Sequence, residues 1–265
     1  MRAAVLGSPI AHSMSPTIHR AGYAALGLDH DYQAIEVSSG QLRSFVAGLT
    51  TCWMGLSLTM PLKEEAFQVA AQISPLATLA GSINTLLIGD TIRADNTDIY
   101  GICTAVREAT QTSLTRLTVI GSGATARSAL VAGALLGVET ATVVARNIET
   151  RERCHRLAAR LGMHLSEDDE PTIVLTSDTL VINTIPAQAS ADVVPRISTP
   201  DGVLLDVVYH PWPSPLAALW NARGLLAIPG HLMLLHQAAR QFEMMTGENA
   251  PLEVMREALQ SAIPA

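Results

Sequence analysis

Near the middle of the chain the sequence reads LTVIGSGATA over residues 117–126, an apolar run followed at once by two closely spaced glycines. An alanine-rich segment of helical character continues from this turn to about Leu136. The pattern G-x-G-x-x-A between a strand and a helix is typical of a dinucleotide-binding turn. Gly121 permits the tight turn, Gly123 lets the backbone approach a pyrophosphate, and Ala126 lets the helix pack closely on the strand. An ordinary glycine-rich turn is the alternative at this point.

The end of the next predicted strand, residues 141–145, indicates which dinucleotide is preferred. Folds that bind NAD place an acidic residue there, about twenty residues after the turn, to hold the ribose diol. This chain instead has Ala145, Arg146 and Asn147, and the charge of Arg146 favours the 2′-phosphate of NADP. Further apolar runs each end in a polar, proline or glycine turn, as expected along the ligand-binding edge of a doubly wound sheet. These runs cover residues 180–183, 203–208 and 225–228.

The sequence GLSLTMPLK over residues 55–63 contains the only lysine among the 17 lysine and arginine residues of the chain. The apolar run 53–58 predicts a buried strand, the Met60-Pro61 pair breaks it, and the residues from Leu62 onward have helical spacing. Lys63 therefore falls at a strand-to-helix turn, where open sheets place their chemistry. An ammonium gives up a proton much more readily than a guanidinium. Proton transfer is thus the functional interpretation, and a lysine retained by chance is the alternative.

Two polar segments of the first hundred residues have a functional and a purely structural interpretation. Ser13 and Ser15 precede a predicted helix, and residues two apart in an extended segment face the same way. Both hydroxyls are then placed to bind one anion at the helix N-terminus, whereas helix capping by Ser15 is the alternative. In the run DNTDIYG over residues 95–101, Asp98 is either a helix cap or a carboxylate that faces Lys63.

The order of predicted elements indicates an α/β protein with two domains. Strand and helix patterns alternate in the N-terminal part, which predicts a parallel sheet, and residues 81–94 have the pattern of a hairpin. A long amphipathic helix from Leu232 is placed to return to the first domain. We expect a discontinuous substrate-binding and catalytic domain (residues 1–100 and 237–265), a Rossmann-type doubly wound NADP-binding domain (residues 101–236), and a cleft between them.

The composition argues against several other classes of protein. The 265 residues are 48% hydrophobic and 15% charged, with a net charge of −7 and no basic run, so nucleic acid is not expected as a partner. The three scattered cysteines form neither a disulfide framework nor a metal-ligand spacing. The first residues turn to glycine and proline too early for a signal peptide, and no apolar run reaches transmembrane length. We expect a cytoplasmic protein with no membrane partner and no metal.

Several short motifs occur together in this chain. They are S-x-S at residues 13–15, T-x-P-x-K at 59–63, G-S-I-N-T at 81–85, N-T-D-x-x-G at 96–101, the glycine-rich turn at 121–126, N-T-I-P at 183–186, D-V-V-Y-H-P at 206–211 and the segment 230–237. In this order, and over nearly the whole chain, these motifs resemble the shikimate dehydrogenase family.

The resemblance implies a reversible NADPH-dependent reduction of 3-dehydroshikimate to shikimate, a step of aromatic amino-acid biosynthesis. It assigns proton transfer to Lys63 and Asp98, and the substrate carboxylate to Ser13 and Ser15. The residues that it places around the ring hydroxyls are Thr59, Asn84, Asp98, Tyr209 and Gln237. The residues that it places at the cofactor are Gly121, Ser122, Gly123, Ala124, Thr125, Ala126, Arg146, Thr184, Val207 and Gly230.

Some positions depart from the family pattern. The family's glycine turn commonly continues Gly-Gly-Ala, whereas this chain has Gly123, Ala124 and Thr125. The usual Asn-Arg-Thr after the next strand is replaced by the segment 145–147, which removes one adenosine contact but keeps the charge for NADP. At the second hydroxyl position, the presence of Ser15 rather than a threonine favours shikimate over quinate.

Two other functions stay open on the sequence. One is an NAD(P)-dependent quinate/shikimate dehydrogenase with a catabolic role. The other is a paralogue that binds shikimate and a nucleotide without turnover, although the presence of Lys63 and Asp98 argues against it. The sequence is compatible with a monomer and with a homodimer.

Overall fold

The chain folds into two compact units in the computed structural model, which describes residues 1–166 and 172–263. The first unit comprises Met1–Gly101 and Leu234–Ala265, and the second comprises Ile102–Met233. The first unit is therefore built from both ends of the chain. The acidic run 166–171, which the sequence predicts as a loop, lies outside the described residues except for Ser166.

A six-stranded mixed sheet forms the centre of the first unit. Its strands are β1 (Arg2–Gly7), β2 (Asp31–Glu36), β3 (Trp53–Leu58), β4 (Gln72–Ile73), β5 (Thr85–Leu87) and β6 (Arg93–Asp95). They lie in the order β2-β1-β3-β5-β6-β4, in which β1, β2 and β3 are parallel and β5 runs antiparallel to both of its neighbours. The predicted parallel sheet is thus confirmed for the first three strands, and the predicted hairpin is β5–β6. The helices are α1 (Ser15–Ala25), α2 (Leu42–Ala47), α3 (Pro75–Ala80) and α4 (Thr97–Ala109), with a 3₁₀-helix at Glu65–Gln68.

The helix predicted from Leu62 onward is wrong, because only the 3₁₀-helix forms there. The backbone carbonyl of Lys63 accepts a hydrogen bond from the N–H of Ile83 at 2.9 Å. That carbonyl is then engaged by a residue far along the chain rather than by the next helical turn. The turn after β3 is therefore tied to the segment that leads into β5.

The predicted capping of α1 by Ser15 is also wrong. Met14 occupies the N-cap position without a side-chain hydrogen bond, and Ser15 is the first residue of the helix. The Oγ of Ser13 accepts a hydrogen bond from the N–H of Ser15 at 3.4 Å. Met14 has a helical backbone, with φ −85° and ψ −5°, so the alternation expected of an extended segment does not apply here.

An entirely parallel six-stranded sheet forms the second unit. The strands of this unit are β7 (Arg116–Ile120), β8 (Thr140–Val144), β9 (His164–Leu165), β10 (Ile173–Val174), β11 (Thr179–Asn183), β12 (Ile197–Thr199), β13 (Val203–Asp206) and β14 (Ala227–Pro229). The sheet order is β14-β13-β11-β7-β8-β9, and β10 pairs separately with β12. Read along the chain, this is the 3-2-1-4-5-6 order of a doubly wound nucleotide-binding fold. The predicted Rossmann-type fold is confirmed.

Helices connect the strands of the second unit, and two further helices end the chain. The connecting helices are α5 (Ala124–Leu135), α6 (Ile148–Arg160), α7 (Ala187–Ser190) and α8 (Pro215–Asn221), with a 3₁₀-helix at Val194–Arg196. The last two are α9 (Gly230–Thr246) and α10 (Leu252–Ala262). In the first unit, Phe242 of α9 and Met255 of α10 are fully buried in one core cluster with Ile18 and Tyr23 of α1. This packing incorporates the C-terminal helices into the first unit.

Candidate active site

Lys63 and Asp98 form a close ion pair in the first unit. The Nζ of Lys63 lies 2.5 Å from Oδ2 of Asp98, and the two side chains are only 12% and 7% exposed. Asp98 lies in the first turn of α4, where a negative charge is favourable at the helix N-terminus. Lys63 follows β3, and the backbone bond to Ile83 ties it to the segment that leads into β5. The carboxylate is thus the partner of the lysine, as the functional interpretation of the sequence predicts.

Asn84, just before β5, makes hydrogen bonds both to the backbone at the start of α4 and to the side chain of Asp98. The Oδ1 of Asn84 accepts a hydrogen bond from the N–H of Thr97 at 2.8 Å, and its Nδ2 donates to Oδ1 of Asp98 at 2.8 Å. A backbone N–H can only donate, so this bond sets the orientation of the amide. Asn84 therefore caps α4 from a neighbouring segment and presents its NH₂ group to the carboxylate.

Gln237 of α9 completes this cluster. Its Oε1 lies 3.3 Å from Nδ2 of Asn84, and its Nε2 donates to the carbonyl of Leu234 at 3.1 Å. The hydroxyl of Thr97 also lies 3.4 Å from Oε1 of Gln237. The structure thus brings together four of the residues singled out in the sequence, which are Lys63, Asn84, Asp98 and Gln237.

The other candidates of the first unit lie at the starts and ends of its elements. Thr59 follows β3 directly, is half-buried, and donates its N–H to the carbonyl of Leu6 at 2.9 Å. Ser13 and Ser15 lie at the start of α1, where Ser15 is 5% exposed. The contacts described for these three residues do not test their predicted roles at the substrate, which stay predictions.

The glycine-rich turn lies at the edge of the second sheet where the strand order reverses. Gly121 has a φ of +113°, and its N–H donates to the carbonyl of Val144 at 2.9 Å. A Cβ added to Gly121 would lie 2.3 Å from Oγ1 of Thr184, which itself donates to the carbonyl of Ile120 at 2.9 Å. Only glycine fits this conformation and this close approach. The ends of β7 and β11 therefore meet at the turn.

The residues after this turn fit a dinucleotide phosphate. Gly123 precedes the first residue of α5, and a Cβ added there would have no atom within 4 Å. The first N–H groups of a helix lack intrahelical acceptors and bind anions. The hydroxyl of Ser122 lies 2.6 Å from that of Thr150 in α6, and Asn147 caps α6. Arg146 is exposed just after β8, which suits a charged ligand group such as a 2′-phosphate.

Asp206, the last residue of β13, organises two loops at the same edge and is not among the site residues predicted from the sequence. It is fully buried, its Oδ1 accepts from Nδ2 of Asn183 at 2.8 Å and from the N–H of Val208 at 3.0 Å, and its Oδ2 accepts from the hydroxyl of Ser214. Burial raises the pKa of the Asp206 carboxyl. The two loops carry Thr184, Val207 and Tyr209, and burial also raises the pKa of Tyr209.

Gly230, the first residue of α9, lies directly against the backbone of Asp206 and Val207 at the end of β13. A Cβ added to Gly230 would lie 2.2 Å from the carbonyl oxygen of Val207, so no side chain fits between the two backbones. The structure therefore brings Gly230 and Val207 together and places Thr184 beside the glycine-rich turn. No local pattern in the sequence indicates the role of Asp206, because its partners are contributed by other strands and loops.

The raised pKa of Asp206 predicts a pH-dependent contribution to stability. Since folding raises this pKa, the Asp206 carboxyl loses its proton at a lower pH in the unfolded chain than in the folded one. The contribution of Asp206 to the unfolding free energy therefore falls as the pH rises from about 4 through the raised pKa. Asp206→Asn does not ionise. We expect the unfolding free energy of this variant minus that of the wild type to increase as the pH rises from about 4 to about 7.

Urea denaturation across this pH range measures the effect, with the exposed Asp192→Asn as the control. A difference between Asp206→Asn and the wild type that stays constant with pH would contradict the expectation. The control is expected to leave the pH dependence of the wild type unchanged.

Neither a metal centre nor a membrane span is found in the part of the chain that the structure describes. Over residues 1–166 and 172–263, no group of three or more His, Cys, Asp or Glu side chains is arranged to hold a metal ion. Within the same ranges, none of the helices combines the length and apolar character needed to cross a bilayer.

The fold and the two sites define a class of protein, an α/β nucleotide-binding protein with a buried lysine–carboxylate pair. Family models match at both ends of the chain, the shikimate dehydrogenase substrate binding domain over residues 5–86 and the shikimate 5′-dehydrogenase C-terminal domain over residues 230–260. The shikimate dehydrogenase (NADP(+)) of Methylobacterium radiotolerans is 35% identical over 264 residues, which cover 93% of this chain and 91% of the relative. The chain belongs to the shikimate dehydrogenase family.

Solved structures give the same result over the full length. The shikimate dehydrogenase of Mycobacterium tuberculosis superposes with a TM-score of 0.88 and 41% identity, covering 98% of both chains. The shikimate 5-dehydrogenase of Thermus thermophilus, solved in complex with NADP(H) and shikimate, has a TM-score of 0.83 and 27% identity and covers 99% of both chains. The predicted family and fold class are confirmed.

Proposed function

We propose that this protein catalyses the reversible, NADPH-dependent reduction of 3-dehydroshikimate to shikimate, as a step of aromatic amino-acid biosynthesis. The observation that carries this proposal is the buried Lys63–Asp98 pair, held by Asn84 in a chain of this family. NADPH, when bound, supplies the hydride. The protein's own residues then have to bind the substrate, stabilise charge on its oxygen and move one proton.

Lys63 and Asp98 carry the proton chemistry in this proposal. Negative charge develops on the ketone oxygen during reduction, and a positioned ammonium stabilises it and donates the proton. Asp98 holds that ammonium at 2.5 Å and is itself held by the amide of Asn84. In the direction of oxidation, the same pair accepts the hydroxyl proton of shikimate.

In this proposal the substrate is bound by polar side chains that the family resemblance assigns to it. Ser13 and Ser15 bind the carboxylate at the start of α1, where backbone N–H groups of the first turn also favour an anion. The ring hydroxyls are bound by Thr59, Asn84, Asp98, Tyr209 and Gln237. The clustering of Asn84, Asp98 and Gln237 in the first unit supports this assignment.

The cofactor is held by the glycine-rich turn and by the loops after β8, β11 and β13. The turn and the start of α5 bind the pyrophosphate, and Arg146 binds the 2′-phosphate. The residues assigned to NADP are Gly121, Ser122, Gly123, Ala124, Thr125, Ala126, Arg146, Thr184, Val207 and Gly230. The open space at Gly123 and the exposure of Arg146 support the assignment.

Replacing Arg146 with glutamine is expected to raise KM for NADPH by about 10- to 100-fold, since a charge-assisted hydrogen bond to the 2′-phosphate is lost. KM for NADH, which has no such phosphate, is expected to change less than about twofold. Initial rates with the two reduced cofactors measure both values. Arg160→Gln, at another exposed arginine near the end of α6, is the matched control. An equal loss with both cofactors would contradict the role of Arg146.

An absorbance assay at the NADPH band tests the proposed function directly. Oxidation of NADPH with 3-dehydroshikimate, and reduction of NADP with shikimate but not with quinate, is the expected result. Efficient turnover of quinate with NAD would favour a catabolic quinate/shikimate dehydrogenase, and binding of shikimate without turnover would favour a non-catalytic paralogue. A cytoplasmic location and a monomeric or homodimeric state stay predictions.

A further inference from the structure

A chain of buried polar side chains continues from the Lys63–Asp98 pair into the interior of the first unit. Gln241 of α9 lies at its centre and is 1% exposed. The Nε2 of Gln241 donates to Oγ1 of Thr85 at 2.9 Å and to the carbonyl oxygen of Asn84 at 3.1 Å. The hydroxyl of Thr85 in turn donates to Oδ1 of Asn84 at 2.7 Å. Gln241 therefore contacts Asn84 both directly and through Thr85.

The directions of these hydrogen bonds follow from groups that have only one possible role. The carbonyl of Asn84 can only accept, so the NH₂ end of Gln241 must face it. The hydroxyl of Thr85 then accepts from Gln241 and directs its own proton to Oδ1 of Asn84. The N–H of Thr97 donates to the same Oδ1 at 2.8 Å. Both donors keep the NH₂ group of Asn84 turned toward Asp98.

The other end of the Gln241 amide is also engaged. Its Oε1 accepts from the hydroxyl of Ser57 in β3 at 2.7 Å, and Ser57 accepts from the hydroxyl of Tyr32 in β2 at 2.5 Å. Buried amides that lack a partner are costly, so this complete set of bonds locks the rotamer of Gln241. Gln241 thereby links β2 and β3 to the residues that lead into β5.

We propose that Gln241 is a positioning residue, which acts through Asn84 to hold Asp98 against Lys63 without itself contacting the substrate. This inference rests on the proposed function for its effect on turnover. Its second consequence does not depend on the proposed function: loss of Gln241 should loosen the Lys63–Asp98 ion pair. Gln241 lies one helical turn after Gln237, which is assigned to the ring hydroxyls. Its own amide bonds Thr85, Asn84 and Ser57, and of these only Asn84 in turn bonds Asp98.

The test compares Gln241→Met in the wild-type protein and in an Asn84→Ala background. Methionine keeps the side-chain length and removes both hydrogen-bonding ends. We expect kcat to fall about tenfold in the wild-type protein, as for the loss of one oriented hydrogen bond, and by less than about twofold in the Asn84→Ala background. Equal losses in both backgrounds would overturn the inference, since Gln241 would then not act through Asn84.

Phe242→Leu is the matched structural control, because Phe242 is the fully buried neighbour of Gln241 on the same helix. It is expected to lower the melting temperature and to leave kcat unchanged. Thr85→Val is expected to reproduce the loss in kcat, and Thr85→Ser, which keeps the hydroxyl, to retain the wild-type value. These two variants test the inference even if Gln241→Met does not fold.

A readout that needs no turnover separates this inference from the proposed function. Lys63 is the only lysine, so the rate of its labelling by an amine reagent, followed by mass spectrometry, reports how firmly Asp98 holds it. Faster labelling in Gln241→Met than in Phe242→Leu supports the inference, even if the wild-type protein does not oxidise NADPH. Identical labelling in the two variants would overturn it.

Discussion

Replacing Lys63 with alanine is expected to lower kcat for 3-dehydroshikimate reduction by about 10²- to 10⁴-fold. The ammonium contacts the substrate oxygen mainly when charge develops on it, so KM for the substrate is expected to change little. Steady-state kinetics at the NADPH band, in both directions, measure the two constants. A variant with nearly normal kcat would remove Lys63 from proton transfer.

Lys63→Arg separates charge from proton transfer at the same position. Arginine keeps the positive charge but does not release its proton in the working pH range. We expect this variant to remain at least about tenfold below the wild type, because electrostatic stabilisation is retained and general acid catalysis is lost. Recovery of the full wild-type rate would show that charge alone is sufficient.

Chemical labelling of the wild-type protein gives a second test of the role of Lys63. Because Lys63 is the only lysine, an amine reagent modifies only its Nζ and the N-terminal amine. We expect loss of activity to follow modification of Lys63, and shikimate to protect this residue from the reagent. Full activity after complete modification of Lys63 would contradict its role.

The features that the sequence predicts well are those determined by neighbouring residues. The glycine-rich turn follows from the conformations available to Gly121, which has a φ of +113°, and from a flanking strand and helix of unambiguous pattern. The strand at Trp53–Leu58 has the bounds that the sequence predicts, because a short, mostly apolar run that ends at a proline turn is typical of a buried strand. Local periodicity and turn chemistry are sufficient for both.

The features that the sequence does not predict depend on residues far apart in the chain. The helix predicted after Leu62 fails because the carbonyl of Lys63 bonds to Ile83, a contact that no local pattern contains. No pattern in the sequence distinguishes Gln241 from the other residues of α9. Its role follows only from hydrogen bonds to Asn84 and Thr85, which lie far earlier in the chain. The pairing of Asp98 with Lys63 is one of two interpretations of the sequence, and tertiary structure is needed to choose between them.

Asp98→Asn is expected to destabilise the first unit by about 3–5 kcal/mol and to lower kcat as strongly as the loss of Lys63. The two side chains are only 12% and 7% exposed, so removing one charge leaves the other buried without a counter-charge. The Oδ1 of residue 98 still has to accept from Nδ2 of Asn84, so the new NH₂ group would face the ammonium donor to donor. Urea denaturation and steady-state kinetics measure the two effects.

The double variant Lys63→Met/Asp98→Asn distinguishes stability from catalysis. Each single variant leaves one charge without its partner, whereas the double variant leaves none. We therefore expect its unfolding free energy to return to within about 1–2 kcal/mol of the wild type. Activity cannot return, because no group remains to donate the proton. If the double variant were as unstable as the sum of the two single variants, Lys63 and Asp98 would contribute independently, and the coupled pair on which the proposed chemistry depends would not exist in solution.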